Sequence, residues 1–123
     1  SAKFVNKDDW FVKANLPGGD HGVSDILLDL TQRATRNRSA TFAEALLNRI
    51  DDHVPLLRRS HREAGLAVLL APDVPAVLLE MGFVNNPADE AMLRDPGRRS
   101  RLMGAVGDSI DDYFSEQTKL APR

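Results

Sequence analysis

The sequence predicts an α/β fold: a layered domain with a central sheet flanked by helices, incomplete in this chain. Three observations point there. A stretch of helical periodicity without Pro or Gly runs from Val23 to about Ile50. Two short apolar runs, Gly65–Leu70 and Ala76–Leu79, are apolar on both faces, as strands covered by helices on either side would be. Two further helical segments then close the chain, giving the order helix, strand, strand, helix, helix. Two strands make too small a sheet for long helices on both faces, so the reading calls for more strands upstream or from another chain.

The first helix rests on apolar residues at Val23, Ile26, Leu27, Leu30, Ala34, Phe42, Leu46, Leu47 and Ile50, spaced by threes and fours over most of its length. Ser24 or Asp20 stands near its start, and Arg33, Arg36 and Arg38 form a solvated face. A capping box at Thr41 and Glu44 offers an alternative break. Before this helix, Leu16-Pro17-Gly18-Gly19-Asp20 is loop chemistry, and Val5–Val12 has room for a helical turn or two. Between the two strands lies the turn Ala71-Pro72-Asp73-Val74-Pro75. Asn86-Pro87-Ala88-Asp89-Glu90 then reads as a helix start, with Asn as cap, Pro at the first position and acids in the first turn. That helix stops near Asp95-Pro96-Gly97. The last runs to about Phe114 with Leu102, Met103, Val106, Ile110, Tyr113 and Phe114 on one stripe, and the polar tail beyond is expected to fray.

Composition narrows the function. The 123 residues are one domain's worth of chain or a piece of one, and 42% hydrophobic content is enough for a core. Sixteen basic against eighteen acidic residues, a net charge of -2, argue against a nucleic-acid partner. The absence of Cys removes thiolate metal sites, thiol nucleophiles and disulfides. No apolar stretch approaches a membrane span. The chain opens Ser1-Ala2-Lys3-Phe4, with neither an initiator Met nor a signal peptide, as a fragment or processed product would.

Glu80 is the candidate catalytic residue. It ends the apolar run Ala76–Leu79, where an ionised carboxylate must be paired, protonated or metal-bound. Open α/β sheets place their sites at the carboxyl ends of strands, so Glu80 is expected to be buried at a strand end beside a cleft. Its residue type and place leave two readings open: a general base, acid or metal ligand, and a buried acid satisfied by Arg or backbone N–H groups. The three histidines, His21, His53 and His61, show no ligand spacing, and surface or structural roles are favoured for them. No G-x-S-x-G nucleophile elbow and no phosphate loop occurs. The arginines of 58–62 and 94–101 are dispersed among acids as a solvated surface.

The segment from Val23 to Phe114 resembles the C-terminal portion of the zinc-dependent N-acetylmuramoyl-L-alanine amidases, peptidoglycan amidases of the cell-division type. Three pieces carry the resemblance: Ile26–Leu30 with Gln32-Arg33 and Asn37-Arg38-Ser39; Ala64–Leu69 with Ala71–Phe83; and Asn86-Pro87 with Asp89-Glu90, Leu93 and the final helix. The middle piece, ending Leu78-Leu79-Glu80-Met81-Gly82-Phe83, is the most specific. Asn85 stands where Ser is common and Leu66 where Phe is usual.

The resemblance implies a hydrolase of the bond between N-acetylmuramic acid and L-alanine, acting through zinc-activated water with Glu80 as general base and acid. Zinc is the implied cofactor, but the family's ligands, two His and a Glu, come from the upstream half, and no residue here matches them. The domain division that follows is 1–22 as part of a regulatory insert that covers the zinc, 23–115 as the C-terminal part of the catalytic domain, and 116–123 as a tail. Within 1–22, Lys7-Asp8-Asp9-Trp10-Phe11 would be part of the plug. Implied partners are peptidoglycan, an activator protein, and either another copy or the missing N-terminal half, in the periplasm or cell envelope. The chain alone is then expected to be inactive and to bind no zinc tightly. The competing readings are a non-catalytic binding or structural module that retains the fold, and an enzyme of unrelated chemistry using Glu80, for which no second catalytic group is found.

Overall fold

The structure, a computed structural model, describes residues 21–55, 61–62, 66, 69 and 71–121. Among these, the order of elements is α1 (His21–Ile50), α2 (Pro87–Arg94) and α3 (Pro96–Leu120), with no strand. The expected sheet is therefore not formed in the described part, and the α/β assignment is corrected to a helical one. The reason lies in where the backbone groups go. A strand needs a neighbour to take its N–H and C=O groups. In the first expected strand, Leu66 and Leu69 are described, and the Leu69 N–H donates to the Leu66 carbonyl at 2.9 Å, a tight local turn incompatible with extension. The rest of that run lies outside the described residues. In the second, the Ala76 N–H donates to the Ser39 hydroxyl at 3.0 Å instead of to a ladder partner. Residues 75–83 accordingly follow an irregular path, with Leu78 exposed. The expected turns of residues 5–12 and the plug of residues 7–11 also lie outside the described residues.

The chain divides into two compact units, one comprising residues 1–39 and 63–77 and the other residues 40–62 and 78–123. In the first unit, α1 carries the buried Thr35 and the half-buried Ser39. The Ser39 hydroxyl donates to the Thr35 carbonyl at 3.0 Å while accepting from Ala76, so one side chain pins the 76-segment to the helix. The apolar stripe expected to be core over this part of α1 is instead exposed: Val23, Ile26, Leu27 and Leu30 all face solvent, Ile26 at 62%. Arg33, Arg36 and Arg38 are exposed as expected, Arg33 pairing with Asp29 one turn earlier at 2.7 Å.

The second unit holds the core. Ile50, Leu102 and Ala105 cluster there at 3–4% exposure, with Leu47, Val54, Leu79, Met92 and Val106 packed against them. The α1 end observes its predicted pattern, with Leu46 and Ile50 buried, and the helix runs through Thr41 without a break. It ends where the His53 and Val54 amides fold back onto the Ile50 carbonyl, and Pro55 can donate nothing further. Arg49 makes a bidentate bond to Asp112 of α3, Nε to Oδ2 at 2.6 Å and Nη2 to Oδ1 at 2.9 Å. The Phe42 and Tyr113 rings pack in a tilted contact, with centroids 5.2 Å apart and planes at 49°.

Helix α2 starts as predicted: the Asn86 carboxamide oxygen accepts from the Ala88 and Asp89 amides, with Pro87 at the first position. Asp95 closes α2 and opens α3. Its N–H donates to the Ala91 carbonyl, while its carboxylate accepts from Gly97 and Arg98 at 2.8 and 3.1 Å. The buried face of α3 is Leu102, Ala105, Ser109 and Tyr113, so Met103, Ile110 and Phe114 of the expected stripe are exposed. The helix also runs past Phe114 to Leu120, six residues into the tail expected to fray, aided by a Lys119–Glu116 pair at 2.9 Å.

Candidate functional site

Glu80 sits in the second unit, between two anchored points. On one side Leu79 packs against the Ile50–Leu102–Ala105 cluster. On the other, Gly82 adopts φ 152°, a region L side chains rarely adopt. Phe83 is then clasped to α2: its N–H donates to the Asp89 carboxylate at 2.9 Å, and its carbonyl accepts from the Asn86 N–H at 3.1 Å. The Glu80 side chain itself is exposed, and no described residue hydrogen-bonds or ion-pairs with it.

The expectation that Glu80 is buried at a strand end is thus corrected. Among the described residues there is no strand for Glu80 to end, and the residue stands on the surface of a loop. An exposed carboxylate is solvated by water, so the burial argument for its function no longer applies. What remains is a carboxylate without a partner among the described residues, on a short loop whose two ends are held.

The sequence reading missed Asp89 and Ser39 as holding groups. Asp89 was legible as a first-turn acid that favours the helix N-terminus. That it reaches back six residues to Phe83 depends on its close approach to Gly82, which no local pattern announced.

The other candidates fall elsewhere. His53 and His61 are exposed, as favoured; the His21 side chain lies outside the described part. His53 lines an open concavity of about 320 Å³ with Asp51, Asp52, Val54 and Pro55, which does not include Glu80. Asp51, Asp52 and His53 are consecutive, and among the described residues no three His, Cys, Asp or Glu side chains converge so as to hold a metal ion. The described residues therefore do not fit a zinc site. Arg94, Arg98, Arg99 and Arg101 are exposed; Arg94 pairs with Glu90 at 2.8 Å, and Arg99 donates to the Leu93 carbonyl at 2.8 Å, a solvated surface as expected. No helix among the described residues is long and apolar enough to cross a membrane.

Hydrogen bonding shifts the ionisation of Asp95, Asp112 and Arg49 on this unit. The backbone N–H of Arg98, helped by that of Gly97, holds the Asp95 carboxyl below its ordinary value. The Arg49 guanidinium does the same for Asp112, and Asp112 in turn raises Arg49.

The sequence profile of the N-acetylmuramoyl-L-alanine amidases matches residues 5–112, and this chain belongs to that family. It is 33% identical over 95 residues to the N-acetylmuramoyl-L-alanine amidase AmiA of Escherichia coli K12, an alignment covering 77% of this chain and 33% of AmiA. It is 31% identical over 105 residues to AmiC of Escherichia coli O6:H1, covering 85% of this chain and 25% of AmiC. A probable cell wall amidase, LytH of Staphylococcus aureus, is 43% identical over 60 residues, 49% of this chain and 21% of LytH. The chain thus spans about a third or less of the length of the curated relatives it matches. No solved structure matches it significantly.

Proposed function

We propose that this chain is part of a peptidoglycan amidase of the cell envelope, hydrolysing the amide between N-acetylmuramic acid and L-alanine, with Glu80 as its general base and acid. The reading rests on family membership. Its anchor in the molecule is Glu80: a carboxylate without a partner among the described residues, in the run Leu79-Glu80-Met81-Gly82-Phe83 and tethered on both sides. In this role Glu80 takes a proton from the attacking water as the oxygen adds to the amide carbonyl. It then delivers that proton to the departing nitrogen as the C–N bond breaks, leaving a carboxylic acid and the free amine of L-alanine. Zinc, in this reading, is held by residues outside this chain, and its part is to make water a better nucleophile.

The test is Glu80→Gln in the full-length protein that carries this chain, assayed on a soluble N-acetylmuramoyl-peptide. Gln keeps the shape and loses the proton-accepting group. The expected result is a fall of about 10²–10⁴-fold in kcat, the usual worth of a general base, with the thermal midpoint and zinc content retained. Near wild-type hydrolysis by that variant would refute the role of Glu80. A full-length protein that contains no zinc and cleaves nothing would favour a non-catalytic module.

A further inference from the structure

We propose that Asp89 is a positioning residue for Glu80, acting through the backbone of Gly82 and Phe83. The inference rests on the reading of Glu80 as the base and adds the device that aims it.

A general base must be held where the proton will be, and a carboxylate on a free surface loop has no such fixed place. Glu80 has no side-chain partner among the described residues to orient it, so its place is set by its backbone. Upstream, Leu79 in the core fixes one end. Downstream, the chain passes Gly82 at φ 152° and is caught at once by Asp89, whose Oδ2 accepts the Phe83 N–H at 2.9 Å. The fit is close. A Cβ on Gly82 would stand 3.0 Å from the Asp89 Cβ, 3.2 Å from its Cγ and 3.3 Å from its Oδ2. The absence of a side chain at Gly82 is what leaves the Asp89 carboxylate room beside the Phe83 amide.

Asp89 is itself well founded. It lies in the first turn of α2, where its amide bonds to the Asn86 cap, and it is half-buried. Helix α2 packs on α3 and sends Met92 to the core cluster. A continuous series of contacts thus runs from the core through α2 and Asp89 to Phe83 and Gly82, two residues from Glu80. Helix capping alone would not need this arrangement, because Asn86 already satisfies the Ala88 and Asp89 amides.

The experiment compares Glu80→Gln, Asp89→Ala, Asp89→Asn and Asp89→Glu in the full-length protein, reading kcat and KM on a soluble N-acetylmuramoyl-peptide and the thermal midpoint for each. Loss of activity in Glu80→Gln establishes the underlying reading; its retention refutes that reading whatever Asp89 does. Given that loss, Asp89→Ala is expected to lower kcat about 10–100-fold, as a misplacement of about 1 Å does, with KM within about three-fold. Asp89→Asn, whose carboxamide oxygen still accepts from Phe83, is expected to recover most of kcat. A purely structural Asp89 would lower the thermal midpoint and leave the kcat of the folded protein unchanged, and that result overturns the proposal. So does equal loss in the Asn and Ala variants, which would make the charge, not the acceptor, the operative feature. Should Asp89→Ala not fold, Asp89→Glu decides: moving the acceptor by one methylene is expected to lower kcat at unchanged KM, and an unchanged kcat overturns the proposal.

Discussion

Asp95 shows how much one residue can do here, and it can be tested by pH. Its carboxylate caps α3 through the Arg98 and Gly97 amides, which hold its pKa below the unfolded value of 3.8. A depressed carboxyl contributes stability that is fully present above the unfolded pKa and is lost as pH falls through the folded one. Asp95→Asn keeps a capping oxygen but cannot titrate. The stability difference between wild type and this variant, followed by denaturant unfolding, should be constant above about pH 5 and shrink below 3.8. A difference that stays constant down to the lowest pH would show that the caps do not act on the ionised form. Of the residues at the candidate site, Glu80 was legible because it broke an apolar run. Asp89 and Ser39 were not, since their partners Phe83 and Ala76 lie 6 and 37 residues away and nothing local names them.

At the scale of elements, all three helices were legible in kind, and α2 down to its cap, because Asn86-Pro87 with Asp89 and Glu90 satisfies backbone groups within a single turn. Faces were harder. Helix α3 offered two overlapping apolar stripes, and the one that is buried runs through Ala105 and Ser109, whose hydroxyl is fully buried and donates to the Val106 carbonyl at 2.6 Å. Small residues there let the helix approach its neighbours closely, and the larger Met103, Ile110 and Phe114 are left outside. Leu102→Ala, at 3% exposure in the core cluster, should cost about 2–5 kcal/mol by calorimetry or denaturant unfolding. Met103→Ala, one position on but exposed, should cost about 0.5 kcal/mol or less. Equal costs would mean that the buried face has been assigned wrongly.

For the whole molecule, the contrast lies between helices that close their own hydrogen bonds and a sheet that cannot. Residues 76–79 are apolar enough for a strand, yet the Ala76 amide is taken by Ser39 and no ladder forms among the described residues. The exposed stripe Val23–Leu30 on α1 has the same lesson: periodicity says which residues share a face, not what covers it. Zinc is a test at this scale too. Titrating zinc calorimetrically into the purified 123-residue chain should reveal no site tighter than about 1 μM, because zinc sites use three or four protein ligands. A tighter site would locate ligands within this chain and revise the proposal that they lie outside it.

The sequence by itself determined the three helices, the N-terminal cap of α2, the family, and Glu80 as the residue to ask about. Each of these depends on interactions within a few residues or on a motif read in order. Only the tertiary structure decided that Glu80 is exposed, that Asp89 grips the turn after it, which face of α3 is buried, and that residues 76–79 are not paired as a strand. Those outcomes depend on which distant group reaches a backbone amide first. A linear pattern records the demand for a partner without recording who supplies it.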